Sequence, residues 1–303
     1  MRACFGDRLQ TRAPLARLTT FRVGGPADWL IETRTADEIE AALSVARAEQ
    51  VPVTLLGGGS NVLIADAGIR GLVIRIRGGE VQAIDEGRIR ADAAITINGL
   101  VRWTINHGRA GLESWAGTPG TVGGAIFGNA HFGGRLIGDL VSEVRLVSPA
   151  GTVIDVPAPD MSFGYDRSRL QQSREVLLSA VFRVSTGEPA ALRVIARQSL
   201  AFRKRTQPLD TPSAGCVFQN PEPGRDTVPD GIPWSAGALV DRAGLKGVAN
   251  GGARVSPTHG NFIVNEGAAT AAGIRALIDR CKRDVRDRFG VELREEIVYL
   301  GDF

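Results

Sequence analysis

Lysine, cysteine and long apolar runs are all scarce in this 303-residue chain. Of its 36 basic residues only Lys204, Lys246 and Lys282 are lysine, an arginine bias that reflects genome composition rather than function. The basic residues face 33 acidic ones, and the resulting formal charge of +3 is spread along the chain. That distribution lacks the basic patch and interleaved aromatics of a nucleic-acid binder. Cys4, Cys216 and Cys281 are too few and too scattered for a disulfide framework, and they lack paired metal-ligand spacing. No metal site is expected. No charged-then-apolar leader opens the sequence, and no apolar run approaches the ~18 residues of a membrane span. A reducing cytoplasm and no membrane insertion are the expectations. With 43% hydrophobic residues, the chain can bury real cores in one large or two to three smaller domains.

Glycine, by contrast, is abundant, at 38 residues clustered at Gly57–Gly59, Gly117–Gly134 and Gly244–Gly252 without a repeat period. Clustered glycine marks tight turns or backbone lying close to a ligand. Three dense clusters point to a large, flat or phosphate-bearing one.

The first of these clusters follows a readable pattern. Asp28–Glu32 reads as a strand, and Thr35 with Glu38 forms a capping box ahead of a helix whose buried face is Ile39, Ala42, Leu43 and Ala46. Val51–Leu56 is a second strand, ending in Gly57-Gly58-Gly59-Ser60-Asn61. This β-α-β unit is not a Rossmann fingerprint, because the glycine spacing is wrong and another strand-like run, Val62–Ile64, follows. Nor is it a P-loop, since no Gly-Lys-Ser/Thr is present. Successive amides in such a turn can still cradle a pyrophosphate, or the loop can be a turn and nothing more.

Strands are expected at Leu72–Ile76, Val81–Ile84, Arg88–Ile97, Val141–Ser148 and Val176–Val184, with a helix around Ile97–His107. The segment Gly111–Ala125 is too glycine-rich for a regular element and too apolar for an exposed linker, as in loops pressed between a core and a ligand. A helix from Pro189 to Arg205 leads to the second half. The last long helix begins near Thr270, carries the stripe Ile274, Leu277, Ile278, Cys281, Val285 and Phe289, and ends at Gly290. The final strand, Leu293–Leu300, bears Glu295 and Glu296 on opposite faces. The fold class is α+β, with a boundary near residue 190.

Six segments in this order resemble the UDP-N-acetylenolpyruvoylglucosamine reductase family. They are Thr20–Ala27, Leu56–Leu63, Ala116–Ala125, Ser213–Pro221, Ala243–Gly247 and Asn261–Asn265, so the likeness covers nearly the whole chain. The short connection after Val176–Val184 resembles the shorter class, without an extra substrate-covering loop. The resemblance implies two FAD-binding subdomains of the vanillyl-alcohol-oxidase/PCMH type, residues 1–70 and 71–188, plus a C-terminal α+β substrate-binding domain, 189–303. It implies non-covalent FAD, NADPH as hydride donor and a UDP-sugar substrate; a monomer is the expectation. Its backbone would hold the flavin through Gly57, Gly58, Gly59, Ser60, Asn61, Val62, Leu63, Thr118, Pro119, Gly120, Val122, Gly123 and Gly124, with Asn129 just beyond.

The implied chemistry adds hydride and a proton across an enolpyruvyl double bond conjugated to a carboxylate. It needs a proton donor, a cation on the carboxylate and an acidic residue. Cys216 stands where the family usually has serine, and a thiol is a better acid than a hydroxyl. Glu296 falls at the family's catalytic glutamate. The family reads Tyr-Arg-x-Ser where this chain has Tyr165-Asp166-Arg167-Ser168, so an aspartate occupies the arginine position. Arg167, one residue later, is the candidate cation, a surface Arg167 paired with Asp166 being the alternative. Tyr165, Arg203, Asn220, Lys246 and His259 match substrate-binding positions. His131, in another departure from the family pattern, is expected as a non-covalent neighbour of the flavin, and His107 as structural. A flavin oxidase or dehydrogenase of the same superfamily, or an FAD-binding protein without turnover, are the competing readings.

Overall fold

The computed structural model describes residues 1–303. Thr35 sits in extended backbone and accepts the Glu38 amide at 3.2 Å, so the helix Ala36–Ala48 starts where its cap dictates. Glu38 reaches back to the Arg34 amide at 2.7 Å, one residue before the cap, which closes the box around the entry of the helix. Strands Pro26–Thr33 and Val53–Leu56 flank this helix but do not pair. Ile69–Ile76 lies between them, in a sheet of order Gln10–Pro14, Pro26–Thr33, Ile69–Ile76, Val53–Leu56. Val53–Leu56 and Ile69–Ile76 run parallel, with Val53 opposite Leu72.

The chain divides into two compact units. One comprises Met1–Thr11, Trp29–Gly58 and Gly71–Phe202, and the other Arg12–Asp28, Gly59–Arg70 and Arg203–Phe303. The first is organised by a five-stranded antiparallel sheet, in the order Val153–Pro157, Val141–Val147, Val176–Arg183, Arg88–Asp92, Val81–Ala83. Val176–Phe182 is buried at every position, because both faces of this central strand are covered. Ala180 and Phe182 belong to a core with Leu100 and Val101 of the helix Ile97–Asn106, Trp115 and Ile126. Val176 and Leu178 belong to a second cluster with Ile39, against which Leu43 and Leu55 pack. The expected strand Arg88–Ile97 stops at Asp92, since Thr96 already caps the next helix by accepting the Gly99 amide at 3.0 Å.

The second unit is built around the helix Ala271–Phe289, whose start is capped by the Thr270 hydroxyl and whose end is Gly290 at φ 70°. Asp66 accepts the Ala271 and Ala272 amides at 2.8 and 2.9 Å, a negative group where the helix dipole favours one. Ile274, Leu277, Ile278, Cys281 and Val285 are buried as the periodicity requires, and Phe289 partly so. Their partners include Phe21, Leu63, Val217, Leu239 and Val255. Leu277 is 1% exposed, so Leu277→Ala is expected to remove about 2–5 kcal/mol of stability, read from the urea midpoint at unchanged m.

Val62–Ile64 pairs in parallel with Val298–Leu300, Val62 opposite Val298. This final strand is shorter than expected. Upstream of it Glu295 bridges Phe218, and the Glu296 amide donates to the Val217 carbonyl at 2.8 Å. The segment changes partner at residue 297, which interrupts the regular ladder.

Candidate active site

The glycine loop after Val53–Leu56 is tight against a second loop of the same unit. A Cβ on Gly57 would lie 2.6 Å from the Thr121 hydroxyl, and one on Gly58 would lie 2.8 Å from the Gly120 Cα. Gly59, at φ +61°, has no room either, because a Cβ there would meet the Leu18 carbonyl at 2.2 Å. Only glycine fits this approach of backbone to backbone. Asn98 fixes the second loop, accepting the Gly117 amide at 2.7 Å and donating to the Thr118 carbonyl at 3.2 Å. No motif in the sequence marks Asn98, because its partners lie about 20 residues away.

Contrary to expectation, part of the Gly111–Ala125 segment is regular: Val122–Phe127 is a short α-helix, capped by Thr121 through the Gly124 amide at 3.3 Å. Tertiary bonds make up for its low propensity, Val122 donating to Ile95 and Gly123 to Ala93, each at 2.8 Å. Both amides are therefore bonded within the protein.

Asn129 follows this helix, fully buried at φ 45°. Its side chain accepts the Gly138 amide at 2.8 Å and donates to the Gly164 carbonyl at 2.7 Å. The Ser168 hydroxyl donates to the Phe127 carbonyl at 2.7 Å, so the turn Gly164–Ser168 is tied at both ends to the end of the short helix. Within the turn the structure separates two neighbours. Asp166, at φ 51°, turns inward and accepts from His131 Nδ1 at 3.0 Å, while the Tyr165 ring lies 4.8 Å from the imidazole centroid. Arg167 is exposed, lies against Gly164 and lines a surface hollow with Ser162, Arg169 and Gln172. Arg167 therefore does not pair with Asp166 in a solvated couple; His131 takes that place. His107 is structural as expected, closing its helix with Nδ1 2.8 Å from the Trp103 carbonyl and stacking on the Trp103 ring.

In the second unit, Cys216 lies on an extended rib gripped from two sides. Cys216 bridges Phe262, and the Val217 amide donates to the Asn261 carbonyl at 2.8 Å. The Asn261 side chain clamps the next residue twice, accepting the Phe218 amide at 2.8 Å and donating to the Phe218 carbonyl at 2.7 Å. On the other side run Arg294, Glu295 and Glu296, with the Gln219 amide on the Arg294 carbonyl at 2.9 Å. Lys282 pins the Glu295 carboxylate at 2.7 Å, so alternation along the segment directs Glu296 to the opposite face. Asn61, at the end of the glycine loop, donates to the Glu296 carbonyl at 3.1 Å. A bidentate Arg294–Asp226 pair, both bonds 2.8 Å, holds the loop after Asn220 and keeps the Asp226 carboxyl below the usual carboxylate range. Nothing in the sequence pattern advertised that pair, because its partners stand far apart in the chain.

Charges surround the rib. Arg203 is 6% exposed, and burial draws its guanidinium down to about 10, opposed by the nearby Cys216 sulfur. It stays cationic at neutral pH and is electrostatically coupled to Cys216. Burial, then the Lys246 charge, hold His259 below the ordinary histidine range. His259 Nδ1 accepts the Asn261 amide at 3.2 Å, which fits a neutral ring. Lys246 itself is salt-bridged to Asp241 at 2.7 Å and part exposed. Asn220 accepts the Ala236 amide at 3.1 Å, beside the Ser235 cap of the helix Ala236–Arg242.

Two family models match the chain, the UDP-N-acetylenolpyruvoylglucosamine reductase C-terminal domain over residues 207–300 and an FAD binding domain over residues 27–157. A UDP-N-acetylenolpyruvoylglucosamine reductase of Synechococcus sp. (strain JA-3-3Ab) is 42% identical across 99% of this chain and 94% of its own length. The chain belongs to the UDP-N-acetylenolpyruvoylglucosamine reductase family. The reductase of Heliobacterium modesticaldum is 37% identical over 98% of this chain and 92% of its own length. The crystal structure of the Thermus caldophilus reductase superposes with a TM-score of 0.78 at 32% identity, covering 97% of this chain and 98% of that one. As a member of this family the chain is an oxidoreductase of α+β fold with an FAD-binding domain. The matched FAD-binding region includes the glycine loop at 57–59, where a side chain would collide with Thr121, Gly120 or Leu18. No helix is long and apolar enough to cross a membrane.

The three cysteines of this reductase-family chain differ in reach. Burial pushes the Cys281 thiol up to about 12, and it is 1% exposed, whereas Cys4 is exposed and Cys216 half-buried. Iodoacetamide on the native protein is expected to modify Cys4 and Cys216 and to spare Cys281, as read by peptide mass mapping.

Proposed function

We propose that the chain catalyses the NADPH-dependent, FAD-mediated reduction of the enolpyruvyl ether of UDP-N-acetylglucosamine to UDP-N-acetylmuramate, in cell-wall precursor synthesis. It would act as a cytoplasmic monomer, with residues 1–70 and 71–188 as flavin-binding subdomains and 189–303 binding the substrate. The observation that carries the reading is the Cys216 rib, which brings a thiol, the Glu296 segment and the buried Arg203 charge into one framework.

Bound FAD supplies the relay of reducing equivalents from NADPH to the enolpyruvyl double bond. Gly57 to Leu63 and Thr118 to Gly124, with Asn129 just beyond, would hold it, with no covalent link. Cys216 gives its proton to C2 of the enolpyruvyl group, because its thiol is the proton-bearing side chain at this point of the rib. Arg203 keeps positive charge beside the sulfur and so stabilises the thiolate that proton transfer leaves behind. Glu296 completes the acid–base set. Lys246, Asn220 and the neutral His259 serve the UDP portion, where a diphosphate needs a cation and the uridine needs uncharged donors. Tyr165 and Arg167 belong to the turn assigned to the substrate carboxylate.

Anaerobic stopped-flow on the flavin-loaded protein tests this reading. NADPH should bleach the flavin absorbance, and the enolpyruvyl UDP-sugar should restore it rapidly. Bleaching without recovery would show that another acceptor is the substrate.

A further inference from the structure

The helix Pro189–Thr206 carries apolar side chains on two sides, and packing uses only one of them. Leu192 is buried in the core of the five-stranded sheet, and Ala196 packs against the same core. The Ser199 hydroxyl donates to the Ser114 carbonyl at 2.6 Å. These three residues stand four and three apart, one stripe of a 3.6-residue helix. The Arg193 guanidinium adds a bond to the Asn106 side chain at 3.1 Å. That stripe accounts for how the helix is held.

The opposite side is not needed for holding it. Val194, Ile195 and Phe202 are 47%, 40% and 47% exposed. Single exposed apolar side chains are ordinary, but three on one side of a helix form a patch. Ile195 and Phe202 lie seven residues apart, which puts them in line about 10 Å along the axis. The Phe202 ring meets Phe132 edge-on at 6.2 Å and so widens this apolar row. Arg193, Arg197 and Lys204, spaced by four and seven, form a second row, and all three are exposed. Val194 lies between the two rows. No acidic residue occurs between Glu188 and Asp210. Glu188 itself is engaged at the start of the helix, where its carboxylate accepts the Ala191 amide at 2.9 Å. The exposed half of the helix therefore grades from apolar to cationic, with no carboxylate on it to offset the charge.

We infer that this face rests on an anionic lipid surface, as a peripheral contact that does not cross it. The inference is independent of the proposed reaction. A peptide partner is held by a groove or a sheet edge, whereas this face is convex, its side chains standing out from the helix. A plane of lipid headgroups meets such a face along its whole length. The apolar row enters the boundary between headgroups and acyl chains, while the long arginine and lysine stems lie along it and carry their charges to the phosphates. The apolar row alone would not choose among surfaces. The uncompensated positive charge selects an anionic one.

The test is co-sedimentation of the flavin-loaded full chain with two kinds of vesicle. One is phosphatidylcholine alone, and the other is equal parts of phosphatidylcholine and phosphatidylglycerol. The chain should pellet with the anionic vesicles and remain in solution with the neutral ones. R193Q/R197Q should weaken binding by about 10–30-fold, since each cation at an anionic leaflet contributes roughly fivefold. V194E/I195E should weaken it by about tenfold or more, by removing apolar contact and adding like charge to that of the lipid. All four positions are exposed, so circular dichroism and flavin content should match the wild type. R280Q/R283Q, on the exposed side of the helix Ala271–Phe289, removes the same charge elsewhere and should leave binding within about twofold. Sedimentation with neither vesicle, equal sedimentation with both, or undiminished binding in V194E/I195E overturns the inference. So does an equal loss in R280Q/R283Q, which would reduce the effect to overall charge. Capture on immobilised polyglutamate without any vesicle binding would overturn it in favour of an acidic protein partner.

Discussion

Cys216→Ala is expected to slow reoxidation of the reduced flavin by the enolpyruvyl UDP-sugar by about 10²–10⁴-fold, the usual loss when a positioned proton donor is removed. Reduction of the flavin by NADPH should stay within about twofold of wild type, because proton delivery to C2 plays no part in it. The backbone bonds of the rib run through Val217, Phe218 and the Asn261 side chain, none of which depends on the sulfur. The variant should therefore fold. Cys216→Ser should recover much of the rate, since a hydroxyl at the same place can still pass a proton. Stopped-flow absorbance of the two half-reactions checks all three statements, and equal loss of both half-reactions in Cys216→Ala would assign Cys216 a structural role.

Gly58→Ala is expected to have the largest effect on the cofactor. Its Cβ would stand 2.8 Å from the Gly120 Cα and 3.3 Å from the Gly120 carbonyl carbon, so one backbone loop must move off the other. Forcing a methyl into packed backbone costs about 1–3 kcal/mol, which lowers flavin affinity by about tenfold or more if the cradle is what opens. Flavin content after dialysis, measured by absorbance per chain, reads the result, with circular dichroism to confirm the fold. Gly128→Ala is the matched control, because its Cβ would meet nothing nearer than the Gly124 carbonyl at 3.8 Å and its φ is −92°. Full flavin occupancy in Gly58→Ala would remove the cradle from the binding of the cofactor.

Both predictions exploit features that were legible at very different levels. The helix Ala271–Phe289 announced its buried face through periodicity, since a 3.6-residue repeat places Ile274, Leu277, Ile278, Cys281 and Val285 on one side whatever they pack against. Thr35, Thr270 and Gly290 marked helix ends for a similarly local reason: capping joins residues within one turn. The short helix Val122–Phe127 was not legible. Its glycines argue against a helix, and only the bonds to Ile95 and Ala93 reverse that preference. The truncation of the final strand had the same origin, because the partners of Glu295 and Glu296 are Phe218 and Val217, far away in sequence.

The sequence by itself determined the composition class, the main helices, the family and the candidate residues Cys216, Glu296 and Lys246, since each follows from short-range spacing or from ordered motifs. Tertiary structure alone decided which of two adjacent residues on the Gly164–Ser168 turn faces inward. A strained φ of 51° at Asp166, held by Asn129 and Ser168, turns the carboxylate toward His131 and leaves Arg167 exposed. Such a choice depends on anchors about 35 residues distant, whose geometry no local pattern encodes.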